Sequence, residues 1–194
     1  MKQDVLEPGA TYHIFNRGNN KENLFIELEN YDHFLKLMIK HILPIANVYA
    51  YCLLKNHFHL LIGIKEKEEL PDKYKEKTYL AFSNFFNAYT KSINKRYSRT
   101  GSLFQEHLKR KRVENESYLI KLIAYIHLNP VKHQFTSDYK KYKYSSFQSY
   151  ISGKKSNLDR EFIFKYINPE DFEYWHDEKK IESEELLNFL IGSE

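Results

Sequence analysis

Cys52 is the only cysteine in this chain of 194 residues. No intramolecular disulfide can form, which fits a reducing compartment. Long apolar runs are also missing, and no uninterrupted stretch approaches the roughly 20 residues of a membrane span. The opening residues, Met1-Lys2-Gln3-Asp4-Val5, lack the apolar core of a signal peptide. A cytoplasmic protein with no membrane association is therefore expected. Internal repeats and low-complexity segments are absent as well. What remains is the composition of a folded domain, with ordinary hydrophobic content and aromatic residues at 16%. The length suits one domain with a small appendage and can bury a core without staples.

The net charge of +4 hides an asymmetry. Leu158 to Glu194 holds 11 acidic and 4 basic residues, a net of −7, so the preceding part carries +11. A basic body with an acidic tail points to a polyanionic partner for the body, although solubility alone would also account for the charge.

Periodicity divides the chain into alternating elements. Thr11 to Phe15, aromatic and β-branched, reads as a strand, followed by the turn-rich loop Asn16-Arg17-Gly18-Asn19-Asn20. A helical period runs from Asn30, the expected N-cap, to Ile42, ahead of Pro44. Val48 to Leu54 and His57 to Ile64 read as strands joined by a tight turn at Lys55-Asn56. Lys65 to Lys77 reads as a loop and Tyr79 to Tyr97 as a long helix. Ser102 to Val113 reads as another strand, and Glu116 to Leu128 as a helix closed by Asn129-Pro130. This order suits an α+β fold, a ferredoxin-like antiparallel sheet with helices packed on one face. A small helical C-terminal extension should follow. Residues 1–150 form the expected domain. Residues 151–194 form a linker, Gly153-Lys154-Lys155-Ser156, and an acidic tail with a helix at Ser183 to Ile191.

Two places carry chemistry. On a strand, His57 and His59 point to the same face while Phe58, Leu60 and Ile62 point into the core. Their backbones lie roughly 6–7 Å apart, close enough for two imidazoles to converge on one metal ion. An isolated H-x-H pair is common, however, and also fits a solvated sheet face. On the helix from Glu116, Tyr118, Leu122, Tyr125 and Asn129 form one stripe. Leu119, Ile123 and Ile126 form the adjoining apolar one. Tyr125 then lies at the edge of the buried face, where it could equally be a packed aromatic.

The segments Asn56-His57-Phe58-His59-Leu60-Leu61 and Tyr125-Ile126-His127-Leu128-Asn129-Pro130-Val131-Lys132 together resemble the two signatures of the HUH tyrosine transposases. The nearest resemblance is to the REP-associated tyrosine transposases. Tyr12-His13-Ile14-Phe15-Asn16-Arg17-Gly18, Gly101-Ser102-Leu103-Phe104-Gln105-Glu106 and Tyr144-Ser145-Ser146-Phe147 support it in the same order. The resemblance covers about Thr11 to Tyr150. It implies that His57 and His59 bind a divalent cation, Mg²⁺ or Mn²⁺, although histidine-rich coordination alone would suggest zinc. Asn129 stands where insertion-sequence relatives use a glutamine amide as third ligand. It is one methylene shorter, and a helix-capping role competes. Tyr125 is implied as the nucleophile, giving a covalent 5′-phosphotyrosine and a free 3′-hydroxyl on single-stranded, hairpin-forming DNA. Both a homodimer and a monomer are compatible with the resemblance.

Basic residues Lys91, Lys95, Arg96, Arg99, Lys109, Arg110, Lys111 and Arg112, with Arg17 in the first loop, are the candidate phosphate contacts. Tyr97, Phe104, Tyr139, Tyr142 and Tyr144 are candidates for base stacking. His13 could line the site, and His127, facing away from the Tyr125 stripe, reads as structural or surface. Two rival readings are a hydrolase with zinc-bound water and a non-catalytic, domesticated nucleic-acid-binding module.

Overall fold

The computed structural model describes residues 5–106 and 108–181. The strands are β1 (Thr11–Arg17), β2 (Ala46–Leu54), β3 (His57–Ile64) and β4 (Lys109–Arg112). The α-helices are α1 (Leu28–His41), α2 (Tyr79–Arg96), α3 (Glu116–Lys132), α4 (Phe147–Ile151), α5 (Arg160–Phe164) and α6 (Phe172–Ile181). The strands form one sheet in the order β2-β3-β1-β4, and every neighbouring pair is antiparallel. This is the α+β, ferredoxin-like arrangement expected from the element order.

Strand alternation separates two apolar layers. Tyr12 and Ile14 of β1 and Phe58, Leu60 and Ile62 of β3 pack with Phe34 and Met38 of α1 and Phe82, Phe85 and Tyr89 of α2. This is the helix pair expected on one face. The alternate residues Ala50, Cys52, Leu54 and Leu61 meet Leu122, Ile123 and Ile126 of α3. Phe147, Tyr150, Ile163 and Phe172 of α4, α5 and α6 close this second layer. With the sheet on one side and the C-terminal helices on the other, α3 is buried continuously from Leu122 to Pro130.

Four sequence expectations need correction. Asn30 is not the N-cap of α1. Glu27 holds that position, and Asn30 Oδ1 reaches back to accept from the Glu27 and Ile26 N–H groups. The strand expected over Ser102 to Val113 shrinks to Lys109–Arg112. Its earlier part instead docks Phe104 into the core beside Phe86 and Tyr89, with one bridge to Gly18. Asn129-Pro130 does not end α3, which runs on to Lys132. Pro130 denies the Ile126 carbonyl its N–H partner, a loss the helix tolerates because it ends soon afterwards. Finally, Phe104, Tyr139 and Tyr144 are buried. Burying such a ring contributes about 1.5–3 kcal/mol, so these three are core and not base-stacking surfaces. Tyr97 and Tyr142 keep partial exposure. The loop before α2 contains two short 3-10 turns, Lys67–Glu69 and Asp72–Tyr74. The Ser183 to Ile191 helix lies outside the described residues.

Candidate metal and nucleophile site

β3 starts at the site, and the turn before it orients the first ligand candidate. His57 Nδ1 lies 2.7 Å from Asn56 Oδ1. An amide oxygen only accepts, so Nδ1 carries the proton and Nε2 is left as a lone pair. That lone pair faces Asn129 Oδ1 at 3.4 Å. Asn129 is oriented in turn, because its Nδ2 donates to the Tyr125 carbonyl one helical turn back, at 3.3 Å. Two acceptors therefore face each other, an arrangement that repels until a cation or a donor lies between them.

His59 completes the set. Its Nδ1 lies 2.9 Å from His13 Nε2. Its Nε2 is buried without a hydrogen-bond partner among the described residues, and in the tautomer whose Nδ1 donates to His13 it presents a second lone pair. Leaving such an atom unsatisfied costs about 1–3 kcal/mol. Coordinating a cation would remove that cost. The His57 and His59 rings lie 5.3 Å apart and nearly perpendicular.

All three imidazoles are neutral. Burial, with the Lys111 charge second, pushes His13 down to about 3. Burial, followed by His133, pushes His57 down to about 3. His59 is held well below the usual histidine range, first by burial and then by His13 and His57. Neutral rings are the form that binds metal. Two imidazole nitrogens and an amide oxygen thus fit a divalent cation. Among the described residues no group of three or more His, Cys, Asp or Glu side chains is arranged to hold one.

Tyr125 lies beside this donor set. Its ring is 5.4 Å from the His59 ring and 6.2 Å from His13, edge-on to both. Lys132, two turns further along the same stripe, places Nζ 4.7 Å from the Tyr125 ring centroid. His57 and His59 line a cleft of about 400 Å³ together with Arg17, Gln105, Lys109, His133 and Phe135.

The register sorts the basic residues. Arg17 pairs with His57 across β1 and β3, and its Nε is buried without a hydrogen-bond partner among the described residues. Lys109 pairs with Phe15 and Lys111 with His13, so both share the histidine face. Arg110 and Arg112 alternate to the opposite face, where Arg112 pairs with Glu7. Lys91, Lys95 and Arg96 belong to α2 on that opposite side, and Arg96 contacts Glu27 at 2.6 Å. Arg99 pairs with Glu22 in the loop after β1. The structure thus gathers His57, His59, Asn129, Tyr125, His13, Arg17, Lys109 and Lys111. It leaves Lys91, Lys95, Arg96, Arg99, Arg110 and Arg112 away from them. Sequence reasoning missed Asn56, Gln105, Lys132 and His133. Asn56, Gln105 and Lys132 stood in the segments that carry the resemblance without being given a role, and the helical period continued past Pro130 also reaches Lys132.

No protein-family model matches the chain, and no curated protein matches it. Among solved structures, the chain is similar to a REP-associated tyrosine transposase bound to a REP hairpin, with a TM-score of 0.61 and 15% identity. The similarity covers 81% of this chain and 88% of that one. At this identity the likeness establishes the fold. Among the described residues no helix is long and apolar enough to cross a membrane.

Proposed function

We propose that this chain is a transposase-like enzyme that nicks and rejoins single-stranded DNA, with Tyr125 as nucleophile and a divalent cation, Mg²⁺ or Mn²⁺, as cofactor. The observation that carries this reading is that His57 Nε2 faces Asn129 Oδ1 at 3.4 Å while the neighbouring His59 ring, with its buried unpartnered Nε2, lies edge-on to the Tyr125 ring. The fold shared with a transposase described on a REP hairpin supports hairpin-forming DNA as the substrate class.

The chemistry follows from the residues. Tyr125 Oη attacks the scissile phosphorus, and the bond from phosphorus to O3′ breaks. The strand stays attached as a 5′-phosphotyrosine, and the proton the phenol loses is matched by the one O3′ takes up. The reverse attack by a 3′-hydroxyl rejoins strands without an external energy source. His57, His59 and Asn129 would hold the cation, which when bound would supply Lewis-acid polarisation of the phosphate. A tyrosine hydroxyl ordinarily titrates near 10 and attacks poorly while protonated; the Lys132 ammonium lies 4.7 Å from the Tyr125 ring centroid. Arg17 and Lys109 line the cleft where the backbone phosphates would lie.

The test uses single-stranded hairpin oligonucleotides with Mn²⁺ or with chelator. The expected result is a metal-dependent covalent protein–DNA adduct that disappears in Tyr125→Phe. Cleavage that survives Tyr125→Phe would assign the nucleophile to water and the chain to the hydrolases. Binding with no cleavage under any metal would leave a nucleic-acid-binding module.

A further inference from the structure

His127 stands two residues beyond Tyr125 and two before Asn129, and it is completely buried. Its Nε2 lies 2.7 Å from Ser146 Oγ, and its Nδ1 lies 2.8 Å from His176 Nε2. This chain of contacts ends at both sides on backbone groups of fixed sense. His176 Nδ1 is 2.7 Å from the Phe172 carbonyl, which only accepts. Ser146 Oγ accepts from the Tyr51 N–H at 2.9 Å, which only donates. Every link between is then determined. His176 carries its proton on Nδ1 and accepts at Nε2. His127 must donate from Nδ1 and accept at Nε2, and the Ser146 hydroxyl must donate to it. Hydrogen bonds run one way from β2, through the turn before α4, across α3, and into α6.

Two apolar side chains could fill the same space without desolvating two imidazoles. What a fully satisfied polar chain adds is a single allowed orientation. The relay meets α3 in its last turns, where Pro130 also removes one of the helix's own hydrogen bonds beside Tyr125 and Asn129. The charged groups around the relay are turned to each other: Lys140 bridges Glu173 and Asp177, and Asp177 also accepts from the Tyr139 hydroxyl.

We propose that His127 is a positioning residue. The Ser146–His127–His176 relay sets the rotation of the last turns of α3, so that Tyr125 and Asn129 face His57 and His59, and α6 is part of the site's scaffold. The catalytic side of this inference rests on Tyr125 being the nucleophile, and its structural side does not.

Three variants test it: His127→Phe, which keeps a ring but breaks both bonds; His127→Gln, whose amide again offers one acceptor and one donor; and Ser146→Ala. In single-turnover assays, adduct formation should fall about 10- to 100-fold in His127→Phe, as for groups that act through a ligand or a nucleophile, and recover largely in His127→Gln. Nitrogen NMR of the wild type should find both His127 and His176 as Nδ1–H tautomers. Wild-type rates in His127→Phe, or equal losses in the Phe and Gln variants, would overturn the proposal, as would an Nε2–H tautomer at either histidine. If the wild type forms no adduct, the nucleophile assignment fails, and hydrogen exchange at residues 125–130 decides the relay. Faster exchange in the Phe than in the Gln variant supports it, and equal exchange overturns it. Should His127→Phe not fold, Ser146→Ala makes the same comparison with almost no change in volume.

Discussion

Two histidine pairs flank the Tyr125 helix, and they are alike in most respects. His13 and His59 lie 2.9 Å apart, and His127 and His176 lie 2.8 Å apart. Both pairs are stacked, buried and neutral. Burial is the leading cause that holds all four below the ordinary histidine range. They differ at the nitrogens outside the contact between the two rings. In the second pair each nitrogen has a hydrogen-bond partner, ending on Ser146 and the Phe172 carbonyl. In the first, His59 Nε2 has no hydrogen-bond partner among the described residues, and the His59 ring lies against the rings of His57 and Tyr125. Depressed basicity therefore does not separate a site from a scaffold here. A buried, unpartnered ring nitrogen at a cleft does.

Exchanging the two pairs gives the largest expected effect. His59→Ala should weaken Mn²⁺ binding, read by calorimetry or electron paramagnetic resonance, by more than the about 10- to 100-fold typical of a group one bond removed from the ion. His176→Gln should leave the same affinity far less changed. Equal losses would erase the distinction between the pairs. Next comes His13, whose Nε2 lies 2.9 Å from His59 Nδ1. His13→Phe should cost about 10- to 100-fold in the same titration, and an unchanged affinity would remove His13 from the site.

A smaller effect separates the two faces of the sheet. Lys109→Ala should lower the slope of log affinity against log salt for a single-stranded oligonucleotide by about one unit, whereas Lys91→Ala on α2 should not. Equal slopes would mean that the DNA path includes the α2 side.

The smallest effect concerns pH. Burial pushes His176 down to about 4 from 6.5. The unfolded chain then binds more protons than the folded one between these values. Stability from this group is complete above about pH 6.5 and is lost as pH falls toward 4. Thermal melts of His176→Gln should accordingly show a shallower decline over that window than the wild type, and parallel curves would contradict the assignment.

Much of this was legible from periodicity alone. The bounds of β3 and the shared face of His57 and His59 follow from a period of two, and the spacing of Tyr125 and Asn129 follows from a period of 3.6. The sheet order agrees with the element order. Other features depended on register or on distant partners. Splitting Lys109 and Lys111 from Arg110 and Arg112 required knowing that Phe15 pairs with Lys109. The short β4 is an edge strand of four basic residues with no apolar alternation to mark its ends. Phe104 looked like part of it but is drawn into the core. His127 read only as structural or surface because its partners are 19 and 49 residues away. Lys132 was lost when Pro130 was taken as a stop.

The central claim is that Tyr125, beside the His57, His59 and Asn129 lone pairs, becomes covalently joined to DNA. The most direct measurement is mass spectrometry of peptides from the full chain after reaction with a hairpin oligonucleotide and Mn²⁺. The account predicts one modified peptide, carrying a 5′-phosphonucleotide on Tyr125, together with a released 3′-hydroxyl strand. Cleaved DNA with free 5′-phosphate and no modified peptide, or attachment at a different tyrosine, would contradict it.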